Sequence, residues 1–192
     1  MAAFGARAAG YEDGWAGRLH HEIADRCADL ALARSPSPSR VLDVGCGTGY
    51  LLRRLAARCP DAAELAGIDA APEMVAVARE TATDGRLSFQ AGTAEQLPYP
   101  AGTFDLVVAV TSFDHWADQQ AGLAQCARVM APGGCLVLAD LFSLWLLPTL
   151  VGSRRDKART RQRADRLLAS AGLRPVAWHR LYPLLQAVTA DK

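Results

Sequence analysis

Two carboxylates and three glycines gather in one stretch of the chain: Asp43, then Gly45, Gly47 and Gly49, with Asp69 beyond them. Glycines lack a β-carbon, so the backbone can turn tightly there and a bound molecule can approach it closely. Asp43, two residues before the first glycine, can face a ligand's ammonium group. Asp69, twenty residues after Gly49, stands where an acid accepts hydrogen bonds from ribose hydroxyls. A second set of chemically able side chains, Asp114-His-Trp116, follows an apolar run. Imidazole ordinarily titrates near neutrality, which makes His115 a candidate base; its alternative is to cap the following helix or close over a cofactor.

The flanking pattern supplies the scaffold. Trp15, Leu19, Ile23, Cys27, Leu30 and Ala31 recur at helical spacing over 15–34, and Ser35-Pro-Ser-Pro-Ser39 breaks the pattern as a linker. Residues 40–44 read as a buried strand, followed by the glycine turn and a helix over 50–58. Further strands are expected at 65–69, 87–91, 104–110 and 135–139. Pro72 suits the first turn of a helix running to 82. A helix over 117–130 ends at Pro132-Gly-Gly134, a basic helix covers 154–171, and short strands near 175–180 and 184–189 follow. This alternation predicts an α/β fold: a Rossmann-like, doubly wound, mostly parallel seven-stranded sheet with helices on both faces. The ligand crevice of such a sheet lies at the carboxyl ends of its strands, where the glycine loop, Asp69 and residues 110–116 fall.

A glycine loop alone does not choose its ligand, because nicotinamide and flavin sites use one too. A dinucleotide fingerprint runs G-x-G-x-x-G, whereas here the spacing is G-x-G-x-G and Leu51-Leu52 take the place of the third glycine. An acid on the ribose is common to both cofactor types. The acid before the loop tips the balance: S-adenosylmethionine carries an amino-acid moiety, NAD a pyrophosphate. The expected cofactor is S-adenosylmethionine, leaving as S-adenosylhomocysteine, and a nicotinamide-dependent oxidoreductase is disfavoured by the loop spacing.

Four stretches in order carry a resemblance to a known family: Val41-Leu-Asp-Val-Gly-Cys-Gly-Thr-Gly49; Gly67-Ile-Asp-Ala-Ala-Pro-Glu-Met74; Gly92-Thr-Ala-Glu-Gln-Leu-Pro98 with Phe104-Asp-Leu-Val107; and Arg128-Val-Met-Ala-Pro-Gly-Gly134. The chain resembles the class I methyltransferases, and within them the ubiquinone/menaquinone-biosynthesis (methyltransferase type 11) group, over about residues 40–140. The resemblance implies that Asp43 and the Gly45, Cys46, Gly47 and Gly49 backbone hold the methionine part of the cofactor. It implies that Asp69 holds the ribose, that Ala70 and Met74 pack at the adenine, and that Val110 borders the same site. Where the family usually has an Asp, this chain has Thr93, whose hydroxyl can also accept, and the Ala94 N–H can donate to the ring. Arg128 to Gly134 is read as architectural.

The remaining features bear on the acceptor. The 192 residues favour one domain able to bury roughly 70% of its unfolded surface without disulfides or metal. It is read as a lid helix and linker over 1–39, a cofactor core over 40–140, and an apolar insertion, basic helix and last strands over 141–192. Apolar residues at 51% and charged residues at 21% are an ordinary soluble balance, and a net charge of +1 argues for no polyanionic partner. Five scattered cysteines include no C-x-x-C pair and no zinc spacing, so they are read as small apolar residues. Met1-Ala-Ala-Phe-Gly-Ala-Arg7 lacks a signal-type stretch, and no run approaches the ~20 apolar residues of a membrane span; the reading is cytoplasmic. Asp114 and Trp116 are candidate acceptor contacts, Trp116 also being suited to core or cofactor cover. His20-His21 faces a lid position by analogy but is read as a solvated pair. The segment Leu141–Val151, with Trp145, either lines an acceptor pocket, packs as a helix or makes a homodimer contact. The basic run after it is a solvated face or a contact for an anion or membrane surface. The expected activity is methyl transfer to oxygen or carbon of a small apolar or aromatic acceptor, without nucleic acid or metal. The alternative is a non-catalytic cofactor-binding module acting through a protein partner.

Overall fold

The computed structural model describes residues 14–143, 157 and 160–192. Its elements, in order, are α1 (Gly14–Arg34), β1 (Arg40–Val44), α2 (Tyr50–Arg58), β2 (Glu64–Asp69), α3 (Pro72–Thr81), β3 (Leu87–Ala91), β4 (Phe104–Val110), a 3-10 turn (Phe113–His115), α4 (Gln119–Val129), β5 (Met130–Leu141), α5 (Arg161–Ser170), β6 (Arg174–Arg180) and β7 (Leu185–Asp191). The strands form one seven-stranded sheet in the order β3-β2-β1-β4-β5-β7-β6. The first five strands are parallel, and β7 runs antiparallel to both β5 and β6. The expected Rossmann-like architecture is the one observed.

Successive strand side chains point to opposite faces, so the apolar runs fill two layers. Val41, Leu65, Leu106, Val108 and Val137 pack beneath α1, α2 and α3. Leu42, Val44, Val107, Ala109, Leu136 and Leu138 pack against α4 and α5. A third cluster joins Ile23 and Cys27 of α1 to Ala139, Leu185 and Ala187. All five cysteines are free and buried. No helix among the described residues is long and apolar enough to cross a membrane.

The boundaries differ from expectation for local reasons. Helix α4 begins at Gln119 because Asp118 caps it, accepting from the Ala121 N–H at 3.0 Å. Strand β5 begins at Met130 rather than Cys135: Met130 pairs with Phe104, Cys135 with Leu106, and a register shift absorbs Ala131–Gly134. Helix α5 starts at Arg161, capped by Thr160, and the earlier part of the expected basic helix lies mostly outside the described residues. Phe142 is buried in the core, between Phe113 and Trp178. The rest of the apolar 141–151 segment, apart from Leu141 and Ser143, lies outside the described residues, and Trp145 with it.

Candidate active site

A cavity of about 400 Å³, within the range of small-molecule sites, opens at the carboxyl ends of β1, β2 and β4. Asp43, Gly45, Cys46, Gly47, Asp69, Ala70, Met74, Thr93, Ala94 and Val110 all line it, and His115 and Trp116 line it too. Its floor is tied together by hydrogen bonds. The Gly45 and Cys46 N–H groups donate to the Ile68 carbonyl at 2.8 and 3.0 Å. Asp69 accepts from the N–H of Gly47 (2.8 Å) and of Ala71 (2.9 Å). A carboxylate offers about four acceptor sites, so two bonds leave capacity for a ligand.

Gly45 and Gly47 do different work. A β-carbon on Gly45, at φ +83°, would lie 2.2 Å from Ser112 Cβ, and the Ser112 hydroxyl is itself held at 2.7 Å on the Val44 carbonyl. A β-carbon on Gly47, at φ +53°, would meet nothing within 4 Å. The first glycine lets β1 and the end of β4 meet, and the second keeps the cavity wall low. Gly49 departs from expectation. It does not line the cavity but closes on Phe89, where a β-carbon would lie 2.7 Å from the ring.

Asp43 is buried, 2% exposed, on the face that looks into the cavity. Burial, and then the Asp69 carboxylate, push its carboxyl up to about 8. Among the described residues, the lining carries three carboxylates, Asp43, Asp69 and Glu95, and no lysine or arginine. Such a field suits a ligand bearing ammonium and sulfonium charges and opposes a pyrophosphate. The chain's own residues therefore fit S-adenosylmethionine: Asp43 could hold the ammonium and Asp69 the ribose, with Ala70, Met74 and Thr93 also in the lining.

The opposite wall comes from α1. Gly17, His20, His21 and Ala24, spaced as one helical face, line the cavity. His20 and His21 are thus not the solvated pair expected. The His21 ring stacks on Tyr50 with centroids 3.8 Å apart, and burial, then His21, lower the His20 imidazole from its ordinary value. The hydrophobic stripe of α1 is the neighbouring face, and the ring partner Tyr50 lies far along the chain, so periodicity alone pointed away from the pair. Helix α1 is anchored by Asp25, which accepts from Tyr50 Oη (3.2 Å) and Arg54 Nε (2.8 Å), and by Arg58 on Asp29 at 2.8 Å.

Another part of the lining follows β4. Thr111 adopts φ +53°, a left-handed conformation that β-branched residues avoid, while its N–H holds the Ala139 carbonyl at 2.8 Å. The bend turns Ser112 onto Gly45 and leads into the Phe113–His115 turn. Strain of this type costs about 1–3 kcal/mol. Thr111→Asn, which tolerates the conformation, is expected to raise the melting temperature by about 2–4 °C; calorimetry showing a lower value would remove strain as the explanation. Trp116 is only 6% exposed, packs edge-on to Phe113 with centroids 5.1 Å apart, and fills the space left by Gly122, where a β-carbon would lie 2.4 Å from its ring. Asp114 does not line the cavity, contrary to its expected acceptor contact. Its N–H donates to the buried Asp140 carboxylate at 2.9 Å, which fixes the turn from β5.

The sequence profile of the methyltransferase domain family matches residues 41–134, just under half of the chain. With the sheet order and the cavity described, these residues are similar to methyltransferase domains of the class I, S-adenosylmethionine-dependent kind, and within them to the ubiquinone/menaquinone-biosynthesis group. The chain is 44% identical over 117 residues to a demethylmenaquinone methyltransferase of Deinococcus radiodurans, covering 60% of this chain and 48% of that one. It is 31% identical over 178 residues to the 27-O-demethylrifamycin SV methyltransferase of Amycolatopsis mediterranei, covering 83% and 63%. The chain thus spans about half to under two thirds of the length of these relatives. A methyltransferase structure from Aquifex aeolicus superposes with a TM-score of 0.76 at 21% identity, over 97% of each chain, and shares the fold.

Proposed function

We propose that this chain transfers the methyl group of S-adenosylmethionine to an oxygen or carbon of a small apolar or aromatic acceptor. The observation that carries the reading is one cavity lined both by Asp43, Gly45, Gly47 and Asp69 and by His115 and Trp116. When bound, the cofactor supplies an electrophilic methyl on a sulfonium leaving group. Asp43 ionises to hold the ammonium, and the Gly45–Gly47 backbone fixes the amino-acid portion. The Trp116 wall and α1 shield the reacting end from water, and alignment of the acceptor supplies a large part of the rate. His115 would take the proton from an acceptor hydroxyl, or from the hydroxyl beside an acceptor carbon. The two named relatives act on demethylmenaquinone and 27-O-demethylrifamycin SV, both small molecules, which supports the acceptor class.

Thermal shift with S-adenosylhomocysteine and with NAD tests the cofactor, since a bound ligand raises the melting temperature. A shift with the first and none with the second is expected; the reverse would overturn the reading. Methyl transfer from labelled cofactor to a panel of quinols and phenols tests the activity, and binding without turnover on any of them would make the chain a binding module. His115→Ala is expected to lower kcat by about a hundredfold with S-adenosylhomocysteine affinity held within about twofold. Undiminished turnover would remove the base role.

A further inference from the structure

S-adenosylmethionine carries a carboxylate on the same carbon as its ammonium, and a cavity lined by three carboxylates and by no described lysine or arginine repels it. The glycine loop has few donors to offset this. The N–H groups of Gly45 and Cys46 donate to the Ile68 carbonyl, that of Gly47 to Asp69 and that of Gly49 to the Cys46 carbonyl. The Ser112 hydroxyl is committed to the Val44 carbonyl and the Tyr50 hydroxyl to Asp25. A carboxylate taken out of water there needs donors from another element.

Helix α1 brings them. It passes beside Asp43: the Cys27 thiol of α1 is pushed up to about 12 by its burial and then by the Asp43 carboxylate. Ala24, one turn earlier, lines the cavity, and His20, one turn earlier again, lines it together with His21. The His21 ring lies flat on Tyr50, their planes 6° apart, and Tyr50 directly follows Gly49. The two imidazoles thus stand on the side of the cavity where Asp43 and the glycine loop lie. Burial, then His21, lowers the His20 imidazole and so favours its neutral form, which still carries one N–H donor.

We infer that His20 and His21 form the subsite for the cofactor's α-carboxylate, their ring N–H groups donating to its oxygens. The inference rests on the cofactor reading above and deepens it. Asp43 takes the ammonium and the imidazoles take the carboxylate, so the amino-acid portion is gripped between the end of β1 and α1. A neutral donor suits this place, because a fixed cation would compete with the ligand's ammonium for Asp43. Helix α1 is then part of the binding site as well as its cover.

Calorimetry with two ligands that differ by one group tests this without an acceptor. S-adenosylhomocysteine has the carboxylate; its decarboxylated analogue, 5′-deoxy-5′-(3-aminopropylthio)adenosine, keeps the amine, ribose and adenine and lacks it. The wild-type chain is expected to bind the first about thirtyfold more tightly, as hydrogen bonds to a charged group would give. In the double variant His20→Leu with His21→Leu that ratio is expected to fall to about threefold, S-adenosylhomocysteine weakening while the analogue holds within about twofold. His20→Asn with His21→Asn, which keeps an N–H donor at each position, is expected to recover most of the ratio. A ratio unchanged in the leucine pair, with both ligands still bound, would overturn the inference alone. Equal binding of the two ligands by the wild-type chain would overturn it without any variant. Failure of both ligands to bind the wild-type chain would overturn the cofactor reading and this inference together.

Discussion

Asp43→Asn is expected to lower the affinity for S-adenosylhomocysteine by about a hundredfold while making the ligand-free protein more stable at neutral and higher pH. Both effects come from one buried carboxyl. In the fold it keeps its proton up to about pH 8, because burial and Asp69 oppose its ionisation, whereas the unfolded chain releases it near the ordinary value of 3.8. Between those limits the folded state binds the extra proton, so stability contributed at Asp43 is greatest below about pH 4 and falls as pH rises towards 8. Asparagine removes that slope, and the difference in unfolding free energy should widen from about pH 5 to about pH 8, reaching on the order of a few kcal/mol. A ligand ammonium reverses the preference by favouring the ionised form. Binding near pH 7 is therefore expected to release a proton from the wild-type site, and affinity should rise with pH until about 8. Titration calorimetry in buffers of different ionisation enthalpy reads the proton directly. No proton release in the wild type, or equal affinity in Asp43→Asn, would remove Asp43 from the ammonium site.

Gly45→Ala and Gly47→Ala should separate folding from binding. At Gly45 the added methyl meets Ser112 at 2.2 Å, a distance the packed end of β4 cannot accommodate without moving. Overpacking and the left-handed backbone together are expected to cost about 3 kcal/mol or more, a large fraction of a domain's stability. At Gly47 the methyl meets nothing, so only the backbone cost of about 1 kcal/mol remains, but the group narrows the cavity. Gly47→Ala should fold and bind S-adenosylhomocysteine about tenfold or more weakly. Chemical denaturation and calorimetry on the same two variants check both halves. Equal losses of stability would show that the loop glycines serve one purpose.

The scaffold was legible because a strand covered on both faces reads as a short apolar run, as Phe104–Val110 does, and the edge strand Leu87–Ala91 falls where the strand–helix alternation places it. The floor of the site was legible for a related reason: glycines and acids at strand ends are rare enough to stand out. Pairing partners were not. Met130 joins β5 because Phe104 lies opposite, and Pro132-Gly-Gly134 reads as a turn until that partner is known. The imidazoles of α1 needed Tyr50 and the cavity itself to reveal their place. Glu95 lay inside a recognised stretch, yet nothing along the chain shows that it reaches Asp118. Asp140 had the one usable signal, an acid closing an apolar strand beside the crevice.

Trp116 occupies the hollow that Gly122 leaves in α4, and Phe113 braces its ring from the side. The indole is therefore keyed into a helix that is itself fixed to the sheet, and it cannot swing aside for a bulky guest. Across a homologous series of acceptors, turnover should fall in a step once a substituent reaches the indole, not in a gradual decline. Widening the repertoire would take a smaller residue at Trp116 together with a larger one at Gly122, a paired exchange in which neither half works alone.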